Sequence, residues 1–198
     1  MSDCAKISKN QNKNCDNPIV GGVHDDIFLI NFEDWEDAVI VYNETNPNII
    51  EGISLPTGAY AYKMQGINNS PAPLQTFKRL PFGGAFEHKL NYKVFRIGPD
   101  TKKELELETK GRYVAIVRNN YRGDSGEAAF EVYGPKAGMV IPDGGLVRDP
   151  NSSDTQGCYD ITLQSTEKAL EDHLPLSIFL TDYSTTKAIV DALVAADE

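Results

Sequence analysis

Apolar residues along the chain fall in short runs with the periodicity of strands. Tyr113, Val114, Ala115, Ile116 and Val117 form an unbroken apolar run, too short for a typical globular helix and rich in β-branched residues. That pattern predicts a strand covered on both faces. Residues 127–133 alternate instead: Ala128, Phe130 and Val132 fall on one face, and Ala129, Glu131 and Tyr133 on the other. Between the two segments, Asn119, Asn120, Gly123, Asp124, Ser125 and Gly126 supply turn chemistry in a loop too long for a two-residue hairpin turn. Alternation returns at 159–164, where Tyr159, Ile161 and Leu163 oppose Asp160, Thr162 and Gln164.

Further strands are predicted at 27–32, 38–42, 48–54, 58–64, 89–97 and 176–180. The first two flank a charged loop containing Glu33, Asp34, Trp35, Glu36 and Asp37, and Tyr60 and Tyr62 share one face of the fourth. Residues 66–73 and 135–154 read as long loops suited to contacts with partners. Phe77, Lys78, Arg79 and Leu80 read as a small basic spot, and residues 82–86 as a flexible link. A helix is expected at 102–109, capped by Asp100 or Thr101 and ended by Gly111, although the same residues also alternate like a strand. Ser165 or Thr166 can cap a second helix through Glu171. Ser184 or Thr185 can cap a third, running to about Ala196, with Ile189, Leu193 and Ala196 inward and Val190 and Val194 widening that face. The sum is about nine strands. The fold class is mainly β, a sandwich or partly closed β-barrel with two or three short helices, one at the C-terminus. Residues 1–17 are polar and without periodicity, an N-terminal arm; residues 18–198 form a single β-rich domain.

Charge narrows the functions. A net charge of −10 argues against a general nucleic-acid or membrane binder, which needs clustered Lys and Arg. It is compatible with nucleic acid passing by, because an acidic wall repels DNA and leaves it free to slide. No run approaches the ~20 apolar residues that span a bilayer, and the N-terminus lacks the apolar core of a signal peptide. The sequence thus reads as a soluble protein made in the cytoplasm. Cys4, Cys15 and Cys158 lack the spacing of a zinc site and read as free thiols, with a Cys4–Cys15 pair as the alternative.

Two motifs in the 119–126 loop carry candidate chemistry. Gly123, Asp124, Ser125 and Gly126 match the core of the nucleophile signature of chymotrypsin-like proteases, which also requires a histidine base and an aspartate earlier in the chain. The histidines are His24, His88 and His173; neither upstream one has the expected small-residue surroundings, and Glu127 stands where a glycine is expected. Arg122, Gly123 and Asp124 form the integrin-binding tripeptide, here in a loop rich in turn residues. A solvent-facing hairpin tip accounts for all these residues without chemistry. Asp25, Asp26, Glu33, Asp34, Glu36 and Asp37 lack the alternating ligands and glycine of a calcium loop. Gly83 and Gly84 lack the lysine and helix of a phosphate loop. No catalytic, cofactor-binding or metal residue is assigned, and no cofactor.

Residues 16–35, 112–134 and 145–167 together resemble virion structural proteins of tailed bacteriophages, tail-tube proteins in particular. The likeness lies in layout: a strand pair ending in Phe130–Gly134, a Gly/Asp loop, an alternating strand and a terminal helix. It implies a non-enzymatic subunit in the virion, made in the host cytoplasm, that closes into rings, commonly hexameric, which stack into a tube. Its partners would be copies of itself, other virion proteins and DNA passing without specific binding, with no membrane. A capsid-surface or head–tail connector protein is the alternative within the same class; a serine hydrolase using Ser125 and an adhesion module using Arg122–Asp124 are alternatives outside it.

Overall fold

The computed structural model describes residues 9–10, 15–67, 70–81, 83–153 and 156–194. Its centre is strand β7 (Tyr113–Asn119) between β1 (Val23–Asn31) and β8 (Phe130–Tyr133), with antiparallel partners on both sides. β7 is buried on both faces, as its unbroken apolar run predicts. Val114 and Ile116 enter one hydrophobic cluster, while Ala115 and Val117 enter the other. Each fully buried Val or Ile side chain of this kind contributes roughly 1.5–3 kcal/mol.

Four more strands complete a seven-stranded sheet in the order β2-β3-β11-β8-β7-β1-β4, with β2 (Val39–Tyr42), β3 (Ile49–Ser54), β4 (Tyr62–Gln65) and β11 (Leu176–Ile178). β11 lies antiparallel to β8 but parallel to β3, pairing Ser177 with Ile49. A four-stranded antiparallel sheet, β5-β6-β10-β9, packs on one face of the first; its strands are β5 (Ala72–Leu80), β6 (Gly83–Val94), β9 (Leu146–Val147) and β10 (Tyr159–Gln164). Leu90, Tyr92, Ile161 and Leu163 from this smaller sheet meet Ile27, Leu29, Ala115, Val117 and Tyr133 from the larger. The opposite face of the larger sheet is covered by α1 (Phe32–Glu36) through Phe32 and Trp35, and by α3 (Tyr183–Ala192) through Val190, with Leu193 just beyond it. The architecture is a sandwich with helices on its back and not a closed barrel, because both sheets keep open edges.

Several expectations need correction. Residues 33–36 belong to a helical turn, not a charged loop: Trp35 turns inward and its indole N–H donates to the Pro135 carbonyl at 2.9 Å. Residues 72–80 and 83–86 are strand, in a hairpin whose nine pairs join 72–80 to 83–91; Pro73 is tolerated because β5 is an edge strand. Residues 127–129 are turn, and β8 starts only at Phe130. No helix forms over 165–171; Phe86 and Glu171 instead exchange two backbone hydrogen bonds, extending the smaller sheet beyond β10. The loop at 135–154 contains β9 and bridges at Met139 and Val140. α2 (Pro99–Glu108) is a helix, but its N-cap is Gly98, with Pro99 in its first turn and no side-chain cap. The C-terminal helix is capped two or three residues earlier than expected, by the Asp182 carboxylate accepting from the Thr185 N–H at 2.9 Å. Its buried face is centred on Thr186, Val190 and Leu193, with Ile189 half-buried; Ala196 lies outside the described residues. Among the described residues no helix is long and apolar enough to cross a membrane.

Candidate functional site

The β7–β8 loop places Arg122, Asp124 and Ser125 at the surface. Its shape is set by Glu127, whose carboxylate accepts the Asp124 N–H at 3.0 Å and the Ser125 N–H at 2.7 Å. Partial burial pushes that carboxyl up, but the surrounding backbone N–H groups outweigh it and hold it below the usual range. The consequence for the serine motif is direct. A nucleophile of that type needs its backbone N–H turned toward an oxyanion, and here the Ser125 N–H is already given to Glu127.

No histidine completes the set. Among the described residues none of His24, His88 and His173 hydrogen-bonds the Ser125 hydroxyl. His24 sits with Asp26, at 3.6 Å from its carboxylate. His88 is fully buried between the sheets, where the Gly134 N–H donates to Nδ1 at 3.1 Å. Since Nδ1 accepts, the ring proton lies on Nε2, which donates to the His173 carbonyl at 3.1 Å. Burial lowers the His88 pKa to about 4, partly offset by the bond to that carbonyl. His88 is thus a neutral tie between the hairpin, the end of β8 and the 165–175 segment. The inward alternation of residues 88, 90 and 92 carried this signal in the sequence.

The Arg122–Asp124 tripeptide is also engaged within the chain. The Arg122 guanidinium lies 4.0 Å from the Tyr183 ring centroid, and Phe130 stacks on that ring at 6.0 Å. The Asp124 carboxylate accepts from the Asn17 side chain at 2.8 Å. Gly126 makes the close approach possible, with φ of 107° and its Cα so near Tyr183 that a Cβ would lie 2.8 Å from that residue's backbone. Gly126→Ala is expected to cost roughly 1–3 kcal/mol through strain alone. Loss of the Arg122–Tyr183 stacking, followed by tyrosine ring shifts in NMR spectra, should accompany the lower melting temperature.

Two carboxyl groups that the sequence reading did not single out are buried. Glu108, the last residue of α2, accepts the hydroxyl of fully buried Tyr92, and burial raises its pKa to about 7. Tyr113 nearby is pushed up to about 12 by burial and then by Glu108, Glu33 and Glu104. Glu171 accepts the N–H groups of Lys136 at 3.0 Å and Ala137 at 3.1 Å, fixing the turn after β8; burial raises it, against the pull of those donors. Among the described residues no group of three or more His, Cys, Asp or Glu is placed to hold a metal ion. Cys15 and Cys158 are free, and Cys4 lies outside the described residues.

What remains conspicuous is the rim of the sandwich. All four edge strands expose large apolar side chains: Val39, Val41 and Tyr42 on β2, Tyr62 on β4, Leu74, Phe77 and Leu80 on β5, and Val147 on β9. Comparison of the chain with protein-family models, with curated proteins and with solved structures finds no match. The class is therefore defined by the fold alone: a helix-backed two-sheet β-sandwich with apolar open edges.

Proposed function

We propose that this chain is a non-catalytic building block of a virion, most simply a tail-tube-like subunit that closes into rings, of six copies in the family it resembles, through which DNA passes. One observation carries the reading: every edge strand bears exposed large apolar residues. Charge, proline or a covering loop normally blunts a monomer's edges; β5 carries Pro73, Lys78 and Arg79, yet Leu74, Phe77 and Leu80 stay exposed on it. A subunit that adds to copies of itself keeps its edges open, and a heterologous contact closes into a ring when its rotation permits. The Glu127 hydrogen bond to the Ser125 N–H supports a structural role for the loop over a hydrolytic one. The capsid-surface or head–tail connector position draws on the same edges and differs only in the neighbour. Electron microscopy together with native mass at several concentrations tests the proposal. Rings or tubes, and a mass that climbs with concentration, are the expected result; monodisperse monomers at every concentration would defeat it.

A further inference from the structure

The two sheets differ in extent, and the mismatch leaves a bare strip. The cluster between the sheets draws on β1, β7 and β8 of the larger sheet and on none of β2, β3 and β11. On β2 and β3, Ile40 and Ile53 face the helices, so the partners Val39 and Val41, with Gly52 across from Val41, face the side that the smaller sheet does not reach. Val39 is 66% and Val41 51% exposed. Gly52 adds no side chain, which leaves the strip shallow. The segment that carries it, residues 37–54, holds Asp37, Glu44 and Glu51 and no Lys or Arg, while Glu33, Asp34 and Glu36 belong to α1 on the other face.

The β5–β6 hairpin has the opposite character. Its outer end, Lys78–Leu80 paired with Gly83–Ala85, lies beyond both β10, whose pairing with β6 stops at Lys89, and the Phe86–Glu171 bridge. Leu74, Phe77 and Leu80 stand exposed on it, and Phe77 is braced over Gly84 and against Phe86, ring centroids 5.5 Å apart. Residues 71–86 hold Lys78 and Arg79 and no carboxylate, Lys78 reaching Glu87 at 3.2 Å. An apolar, basic finger and an apolar, acidic strip on one chain match each other in chemistry.

We propose that the β5–β6 hairpin of one copy docks on the β2–β3 strip of the next. The inference rests on the assembly reading above and gives it a specific interface. Finger and strip are different surfaces, so the contact is head-to-tail and propagates from copy to copy. Charge complementarity fixes its direction and makes it weaken with salt.

Two full-length variants test this by light scattering: a finger variant, Arg79→Glu with Leu80→Asp, and a strip variant, Val39→Lys with Val41→Lys. All four positions are exposed, and an unchanged thermal transition certifies each fold; if either is lost, Arg79→Gln and Val39→Thr take their place. Each variant alone should stay monomeric where wild type assembles. Their equimolar mixture should form a dimer and stop, because one intact finger meets one intact strip and both outer ends are dead. Assembly of either variant at the wild-type midpoint overturns the interface while leaving the assembly reading intact, as does a mixture that remains monomeric. A finger variant that assembles normally but loses retention on DNA would assign the finger to nucleic acid and equally overturn the interface. Wild type that never assembles removes the reading and the interface together.

Discussion

Glu108→Gln is expected to raise the melting temperature above pH 7 and to make the protein steeply acid-labile below pH 6.5. Two buried groups titrate in opposite senses. Glu108 has a folded pKa of about 7 against its ordinary 4.5, so the fold holds its proton more tightly than the unfolded chain. Its contribution is complete below 4.5 and is lost as the pH rises through 7. His88 has a folded pKa of about 4 against 6.5, so its contribution is complete above 6.5 and is lost as the pH falls to 4. Each shift corresponds to about 3 kcal/mol, and between about pH 4.5 and 6.5 the two slopes nearly cancel.

Glutamine keeps an acceptor for the Tyr92 hydroxyl and removes the titration. With Glu108 gone, the His88 slope is opposed only by that of Glu171, which burial also raises. For a chain of this size about 3 kcal/mol is a change of roughly 6–12 °C. Thermal unfolding from pH 4 to 8.5 checks it, and parallel curves for wild type and variant would refute the account.

Trp35→Ala should destabilise the fold by about 3–5 kcal/mol. Trp35 is 3% exposed, belongs to the cluster between the larger sheet and the helices, and donates its indole N–H to Pro135. The substitution opens a cavity under α1 and also strips the Pro135 carbonyl of its partner, which adds about 1 kcal/mol. Trp35→Phe refills most of the volume and should recover more than half of the loss. Urea unfolding followed by circular dichroism gives both numbers; a Trp35→Ala cost below about 1 kcal/mol would mean that α1 is not part of the core.

How much of this was readable in the sequence depends on who decides each element. Two segments that carry their own periodicity were read correctly, the run at 113–117, buried on both faces, and 159–164, which matches β10, while the alternation at 127–133 held only from Phe130. Prolines and glycines hid the β5–β6 hairpin, because Pro73, Pro81, Gly83 and Gly84 read as loop, while the register that makes a strand of them is supplied by the partner strand. Tertiary context likewise overrode propensity at 165–171, where the Glu171 backbone pairs with Phe86 and its carboxylate holds the turn at Lys136. Trp35 could not be told from the acidic residues around it until Pro135 was seen to face it. At the serine motif the departure at Glu127 was legible, but its effect, the capture of the Ser125 N–H, needed coordinates. The finger and strip were legible as composition, basic at 78–79 and acidic from 37 to 51, without the sheet mismatch that exposes them.

β11 sits in the interior of the larger sheet, between β3 and β8, yet it is synthesised well after both. A nascent chain that has passed β8 but not yet reached Leu176 therefore carries that sheet in two pieces, β2–β3 on one side and β8-β7-β1-β4 on the other. Three residues, Leu176, Ser177 and Ile178, splice the pieces. Until that splice is made, the strip on β2–β3 has no hydrogen-bonded strand joining it to the rest of the larger sheet.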